Sequence, residues 1–292
     1  MADESPTVAR LLLGDRLRQL RTGARMDGNT AAAAIRASAA KISRMESGQV
    51  PLRERDVRDL LTLYGLSDEG ERAALLDLAK RSCQPGWWDE FSDVLTASIR
   101  HHLSLESAAA LIMTYDSQAV PALLQTDAYA RGLTAGEPDE MTWRGGLSPQ
   151  VLARRRAVLG ASEPPRVWAL IQESALHRAP GGNQEILAAQ LASLRTLAAA
   201  DPTITVQIVP DAAPAVLAAP GPFAVLRYGP ANARDAPDLV LVEMLATIRC
   251  LERRTDVDHH RRLFDKLAVQ AVRPDVTLEM LDDRIRTKPH AR

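Results

Sequence analysis

From Val8 onward the apolar positions recur three and four apart, the spacing of a helix with one buried face. Val8, Leu12, Leu13, Leu17 and Leu20 mark a first helix over about Thr7 to Arg25. Ala31, Ala32 and Ile35 mark a short second helix, and Ile42 and Met45 a third. Pro51 marks a turn, and Val57, Leu60, Leu61 and Tyr64 give a fourth. Ser67 is placed to cap a fifth, with Asp68, Glu69 and Glu71 in its first turn and Lys80-Arg81 in its last, as the helix dipole favours. The pattern breaks at Gln84-Pro85-Gly86-Trp87-Trp88-Asp89, a turn signal with paired tryptophans.

Beyond this break the period changes. Leu105 to Tyr115 is expected to be helical, with Leu105, Ala108, Leu111 and Ile112 on one side. Thr126 caps the next helix and Ser148-Pro149 opens another, a cap followed by proline at the first helical position. Four strand-like runs follow: Val167–Ile171, Ile204–Val209, Phe223–Tyr228 and Leu239–Glu243. A helix from about Asn183 to Ala200 separates the first two, with Ile186, Leu187, Leu191, Leu194 and Leu197 as its stripe. Two helices end the chain, broken at Arg273-Pro274. The order predicts a multidomain protein: an all-α N-terminal domain, then an α+β domain with one small sheet covered by helices.

The tight pair of short helices carries the chemistry. Asp27 is placed to cap the second helix and Ser38 the third, each side chain accepting from a free backbone N–H. Ile42 and Met45 turn one face of the third helix inward. Ala39, Ala40, Lys41, Ser43 and Arg44 are left for the other side, and Gly48 stops the helix in the left-handed conformation that glycine adopts most cheaply. Two short helices joined closely, the second with an exposed basic face, read as a helix-turn-helix.

The run Ile42-Ser43-Arg44-Met45-Glu46-Ser47-Gly48, with Leu17–Arg21 before it and Leu60–Gly65 after it, resembles the Xre-type, phage-repressor-like helix-turn-helix. The resemblance implies that Asp27, Gly28, Ser38, Ala39, Ala40, Lys41, Ser43 and Arg44 lie at the double-stranded DNA. Family members often have Gln after the cap of helix two, where it touches the DNA backbone and braces the recognition helix. Here that residue is Gly28, and Ala39 and Ala40 replace longer polar side chains, so direct base readout is expected to be sparse. The second half, through Val120–Arg131, Glu173–Arg178 with Gly181-Gly182, Gln190-Leu191, Gly221-Pro222-Phe223 and Val242-Glu243, is similar to the C-terminal domain of actinobacterial Xre regulators described as antitoxin-like. That likeness implies a very small partner protein encoded by an adjacent gene. Ala122 and Leu241 depart from the family pattern, which favours glycine and an aromatic there.

Composition adjusts this picture in two places. The 292 residues carry a net charge of −1, yet Arg10 to Arg58 sums to +6 and the rest to −7. A basic N-terminal module on an acidic body suits a nucleic-acid binder with a separate partner or sensor domain. Aromatics are only 4%, so Leu, Val, Ile and Ala must build the cores. Cys83 and Cys250 are far apart and without metal-like spacing, the acidic start Met1-Ala2-Asp3-Glu4 lacks a signal's basic end, and no apolar run reaches a membrane span. A cytoplasmic protein with no membrane partner is expected.

Catalytic candidates are weak. His101-His102 and His259-His260 are neighbours that diverge on a helix and lack companion ligands. Glu173 and His177 stand four apart, but at a strand end and a turn. Pro180-Gly181-Gly182-Asn183 lacks the lysine of a phosphate loop, and Ser174 lacks the flanking glycines of a nucleophile elbow. No enzyme activity, metal or cofactor is expected.

The sequence therefore reads as a DNA-binding transcriptional regulator in three parts: residues 1–82 bind DNA, 83–103 form a linker anchored by Trp87 and Trp88, and 104–292 form a homodimer and bind the small partner. The alternatives are a small-molecule-sensing repressor and an enzyme with an Xre targeting module.

Overall fold

The computed structural model describes residues 5–133, 148–218, 221–228, 237–243 and 248–286. The acidic start of the chain, residues 1–4, lies outside them, as does Lys288. The chain divides into two compact units. The first holds Met1–Ser92 with Ser104–Ala109 and Arg227–Pro237, and the second holds the remainder.

In the first unit, α1 (Pro6–Gly23), α2 (Gly28–Ala34), α3 (Ala39–Glu46), α4 (Glu54–Leu63) and α5 (Glu69–Ser82) enclose one core. Leu13 and Leu17 of α1 meet Ala31, Ala32, Ile42, Met45, Leu52, Val57, Leu60, Leu61 and Leu75 there. The cap of α5 is Asp68 rather than Ser67: its Oδ1 accepts from the Glu71 amide at 2.6 Å. Gly14 lets α1 approach the end of α3. A Cβ on Gly14 would lie 2.6 Å from the Met45 carbonyl oxygen and 2.8 Å from that of Glu46. Ser82 closes the far end, its hydroxyl accepting from the Leu52 amide at 3.0 Å and donating to the Ala79 carbonyl at 2.7 Å. The buried Arg10 Nε donates to the Ser82 carbonyl at 2.7 Å. Trp88 is buried within a 3-10 turn over Trp87–Phe91, and the Trp87 indole donates to the Ser107 hydroxyl at 3.1 Å.

The second unit is built on one six-stranded sheet. Helix α6 (Ala97–Ala108), whose last residues count with the first unit, precedes β1 (Leu111–Asp116), and the two correct the single helix expected over Leu105 to Tyr115. The apolar run Leu111-Ile112-Met113 fits either element by pattern, and burial in the sheet decides it. Then come α7 (Asp127–Leu133), α8 (Pro149–Arg156), β2 (Arg166–Gln172), α9 (Gln184–Ala200), β3 (Ile204–Val209), β4 (Phe223–Arg227), β5 (Leu239–Glu243), β6 (Ile248–Leu251), α10 (Arg254–Gln270) and α11 (Pro274–Arg286). The strand order is β3-β2-β1-β4-β5-β6; β1–β2 and β2–β3 pair parallel, β4–β5 and β5–β6 antiparallel. Besides the four anticipated strands, the sheet gains β1 and the four-residue β6.

The caps expected at Thr126, Ser148 and Asn183 form. Tyr115, Leu170 and Val225 meet Val257, Leu263, Phe264 and Leu267 of α10 on one side of the sheet. The Gln190 side chain stitches α9 to the turn before α7, accepting from the Thr126 amide at 2.6 Å and donating to the Leu124 carbonyl at 2.8 Å. The outer edge of β3 is covered. The Val272 amide donates to the Ile208 carbonyl at 2.9 Å, and the Thr277 hydroxyl accepts from the Ile208 amide at 3.2 Å. Covering an edge this way removes a template for unwanted strand pairing.

Two stability predictions follow from these contacts. Alanine normally stabilises a helix over glycine by about 1 kcal/mol, but at Gly14 the new methyl meets backbone that cannot yield. Gly14→Ala should instead lose about 1–3 kcal/mol, read from the urea midpoint. His102 is fully enclosed, and burial, with Arg155 beside it, pushes its pKa down from 6.5 to about 3. Between these values the unfolded chain takes up a proton that the folded chain refuses. Stability should therefore be full above about pH 6.5 and fall toward pH 3 by up to about 1.4 kcal/mol per pH unit from this group. His102→Gln should flatten that slope in chemical denaturation.

Candidate nucleic-acid interface

The turn between α2 and α3 is fixed by caps at both ends. Asp27 Oδ1 accepts from the Thr30 amide at 2.8 Å, a bond that lowers the carboxyl pKa. Ser38 Oγ accepts from the Lys41 amide at 3.2 Å. Helix α2 ends in a paired-bond stop: the Arg36 amide reaches the Ala33 carbonyl at 3.2 Å and the Ala37 amide reaches that of Ala32 at 2.9 Å. This geometry puts Arg36 in the left-handed region, at φ 52°. Helix α3 ends the same way at Gly48, φ 69°, where no side chain resists.

With Ile42 and Met45 buried, Ala39, Ala40, Ser43 and Arg44 lie exposed along α3. These four of the anticipated DNA-facing residues share the outward side of one helix. Asp27 and Ser38 serve as caps. Gly28 opens α2, and a Cβ there would lie 3.9 Å from the Ala39 Cβ. A long side chain at Gly28 could thus lean on the start of α3; glycine leaves that brace out. Lys41 is turned aside. Its Nζ donates to Asp56 Oδ2 of α4 at 2.6 Å, a partner fifteen residues away that no local pattern reveals.

Other exposed cations of this domain include Arg36, in the turn between α2 and α3, and Arg53 and Arg55 at the start of α4. Spacing within the helix-turn-helix does not select Arg53 and Arg55, which lie beyond it at the next helix. The helix is held in place by Glu46, whose two carboxylate oxygens accept from Arg21 Nε at 2.6 Å and Nη2 at 2.9 Å. This bond raises the Arg21 pKa.

The other sequence candidates sit in the second unit. His177 is exposed beside Arg284, with its pKa lowered by partial burial and by that arginine. Glu173 follows β2 directly, and its Oε2 accepts from the Asp211 amide at 3.4 Å. Asp211 Oδ1 accepts from the Gln172 side chain at 2.9 Å and the Ser174 amide at 3.1 Å. Burial opposes this carboxylate, yet these bonds win and its pKa is lowered. His259 and His260 stack edge to face on α10. Among the described residues, no group of three His, Cys, Asp or Glu side chains is placed to hold a metal ion. Cys83 and Cys250 are free thiols, and burial pushes that of Cys250 up to about 12.

A family model described as a helix-turn-helix domain matches residues 12–75, which contain α2 and α3. A second, described as a domain of unknown function (DUF5753), matches residues 99–283. No curated protein and no solved structure matches the chain. The helix-turn-helix match supports DNA binding and transcription regulation. Among the described residues no helix is long and apolar enough to cross a membrane.

Arg36 provides a test of the turn. A non-glycine residue in the left-handed region costs roughly 1–2 kcal/mol, partly offset because glycine loses more freedom on folding. Arg36→Gly should therefore raise stability by a few tenths to about 1 kcal/mol, seen as a higher thermal midpoint.

Proposed function

The chain belongs to the DUF5753 family and carries a helix-turn-helix domain ahead of that region, and from this footing we propose that it is an Xre-type, antitoxin-like transcriptional regulator of actinobacterial kind. The observation that supports this most is the outward row Ala39, Ala40, Ser43 and Arg44 on a capped α3 whose inward residues Ile42 and Met45 are buried. In this reading α3 enters the major groove and Arg44 donates to guanine O6 and N7. Arg36, Arg53 and Arg55 contribute phosphate contacts, which set register without reading sequence. With two alanines on the reading side, one module makes few base contacts. A homodimer held by the C-terminal half would present two modules at half-sites about 34 Å apart. The C-terminal half also docks a small protein encoded by an adjacent gene, and the regulator works in the cytoplasm. No enzymatic step is assigned to it.

One feature favours a second reading, a small-molecule-sensing repressor. Gln172, Glu173, Ser174 and Asp211 gather at and just beyond the carboxyl ends of the parallel strands β2 and β3. Open sheets with parallel strands commonly receive ligands at that end. Native mass spectrometry of the purified protein separates the two readings, since a retained small molecule would favour the sensor.

Genome-wide mapping of bound DNA supplies the operator, and two predictions can then be checked. Arg44→Ala should cost roughly 1–3 kcal/mol at one base pair of each half-site and relax preference there. Unchanged affinity and preference in a binding titration would remove Arg44 from the major groove. Light scattering should give a dimer, and saturating adjacent-gene protein should shift operator affinity about tenfold, which is about 1.4 kcal/mol of coupling. A monomer on DNA, or an affinity blind to that protein, would sink the assembly and partner assignments.

A further inference from the structure

Lys41 and Asp56 belong to different helices, so their ion pair is a product of tertiary structure. The ammonium lies 2.6 Å from Asp56 Oδ2, and the carboxylate is the more sheltered partner, its side chain 16% exposed against 37% for the lysine. The neighbouring acids are engaged elsewhere: Glu54 with Arg58 at 2.5 Å and Glu46 with Arg21. Arg44, one turn along α3, is exposed and is held by no ion pair among the described residues. The two cations of the same helix are thus in different states before any DNA arrives.

We propose that Asp56 limits the grip of α3 on DNA by holding the Lys41 ammonium in competition with DNA phosphate. The proposal rests on α3 being the helix that meets DNA. A phosphate contact contributes to binding by releasing counterions, with a slope of about 0.9 in log affinity against log salt per contact. While Asp56 keeps Lys41, that contact is missing or weakened. The recognition helix then relies on Arg44, the residue suited to base edges. Withholding a sequence-independent cation lowers affinity for every duplex alike and leaves discrimination between sequences untouched. Asp56 acts through Lys41 and is a positioning residue.

The test uses the full-length protein and a short fluorescent DNA duplex of random sequence, titrated over a series of salt concentrations. Asp56→Asn, similar in shape but uncharged, should bind about two- to fivefold tighter, the range of an exposed ion pair. Its salt slope should steepen by up to about 0.9. Asp56→Glu should behave like the parent. In a Lys41→Met background Asp56→Asn should change nothing. Equal tightening in that background would mean that the carboxylate merely repels DNA, and would overturn the proposal, as would an unchanged slope in Asp56→Asn. If the parent protein itself fails to bind any duplex at low salt, the assignment of α3 falls and this inference with it.

A second measurement covers the case in which Asp56→Asn does not fold. The chain has only four lysines, Lys41, Lys80, Lys266 and Lys288, so carbon-13 methylation of the parent gives few signals. The Lys41 signal, assigned by its loss in Lys41→Met, should shift far less on adding DNA in the parent than in Asp56→Ala, where nothing holds the ammonium back. An equal shift in both proteins at saturating DNA would overturn the proposal.

Discussion

The first unit depends on the junction of α1 with the end of α3. Arg21 uses Nε and Nη2 on Glu46 and donates its Nη1 to the Met26 carbonyl at 2.8 Å, so one guanidinium ties α3 to the loop that leads into α2. The pair is mostly sheltered, with side chains 17% and 9% exposed. Removing one partner of such a pair leaves a charge stranded, which costs far more than the intact pair contributes. Gly14 makes the approach possible by leaving room for the Met45 and Glu46 carbonyls. Everything proposed for α3 as a reader of DNA assumes this fixed placement, because base contacts fail with displacements of an ångström or so.

Charge is then distributed around that frame by tertiary contacts. Glu46 is spent on the frame, and Asp56 on Lys41, while Ser43 and Arg44 stay outward. The alanines at 39 and 40 reduce the number of polar groups available to read bases. Gly28 withdraws the brace that a longer residue would supply. A module of this kind gains from repetition and from a steady backbone grip, which is why dimerisation and phosphate contacts carry weight in the proposed function.

The second unit follows a different rule. Strands β1, β2 and β3 are buried on both sides, and their near-continuous apolar runs reflect that. The polar groups collect at the carboxyl ends and on the turns, where Asp116 Oδ1 accepts from the Gln118 and Ala119 amides at 2.8 and 3.0 Å. Much of this hydrogen bonding closes turns and joins strand ends. The sensor reading requires that part of it yield to a ligand, whereas partner docking leaves it intact.

Local chemistry was legible from the chain alone. The caps at Asp27, Ser38, Thr126, Ser148 and Asn183, the glycine stop at Gly48, the buried face of Ile42 and Met45, and the two final helices all follow from residue type and spacing, because each involves neighbours within a turn or two. The break between α6 and β1 was hidden, since Leu111-Ile112-Met113 suits a helix until a sheet buries it from both sides. The edge strand β6 was hidden too, being four residues long. The sheet order and the covering of β3 by Val272 and Thr277 depend on segments distant in sequence. The same is true of the site: spacing placed Lys41 on the outer side of α3, and only the fold brought Asp56 to its ammonium. Helical period fixes which way a side chain leaves its own helix, whereas its partner is decided by how separate helices pack.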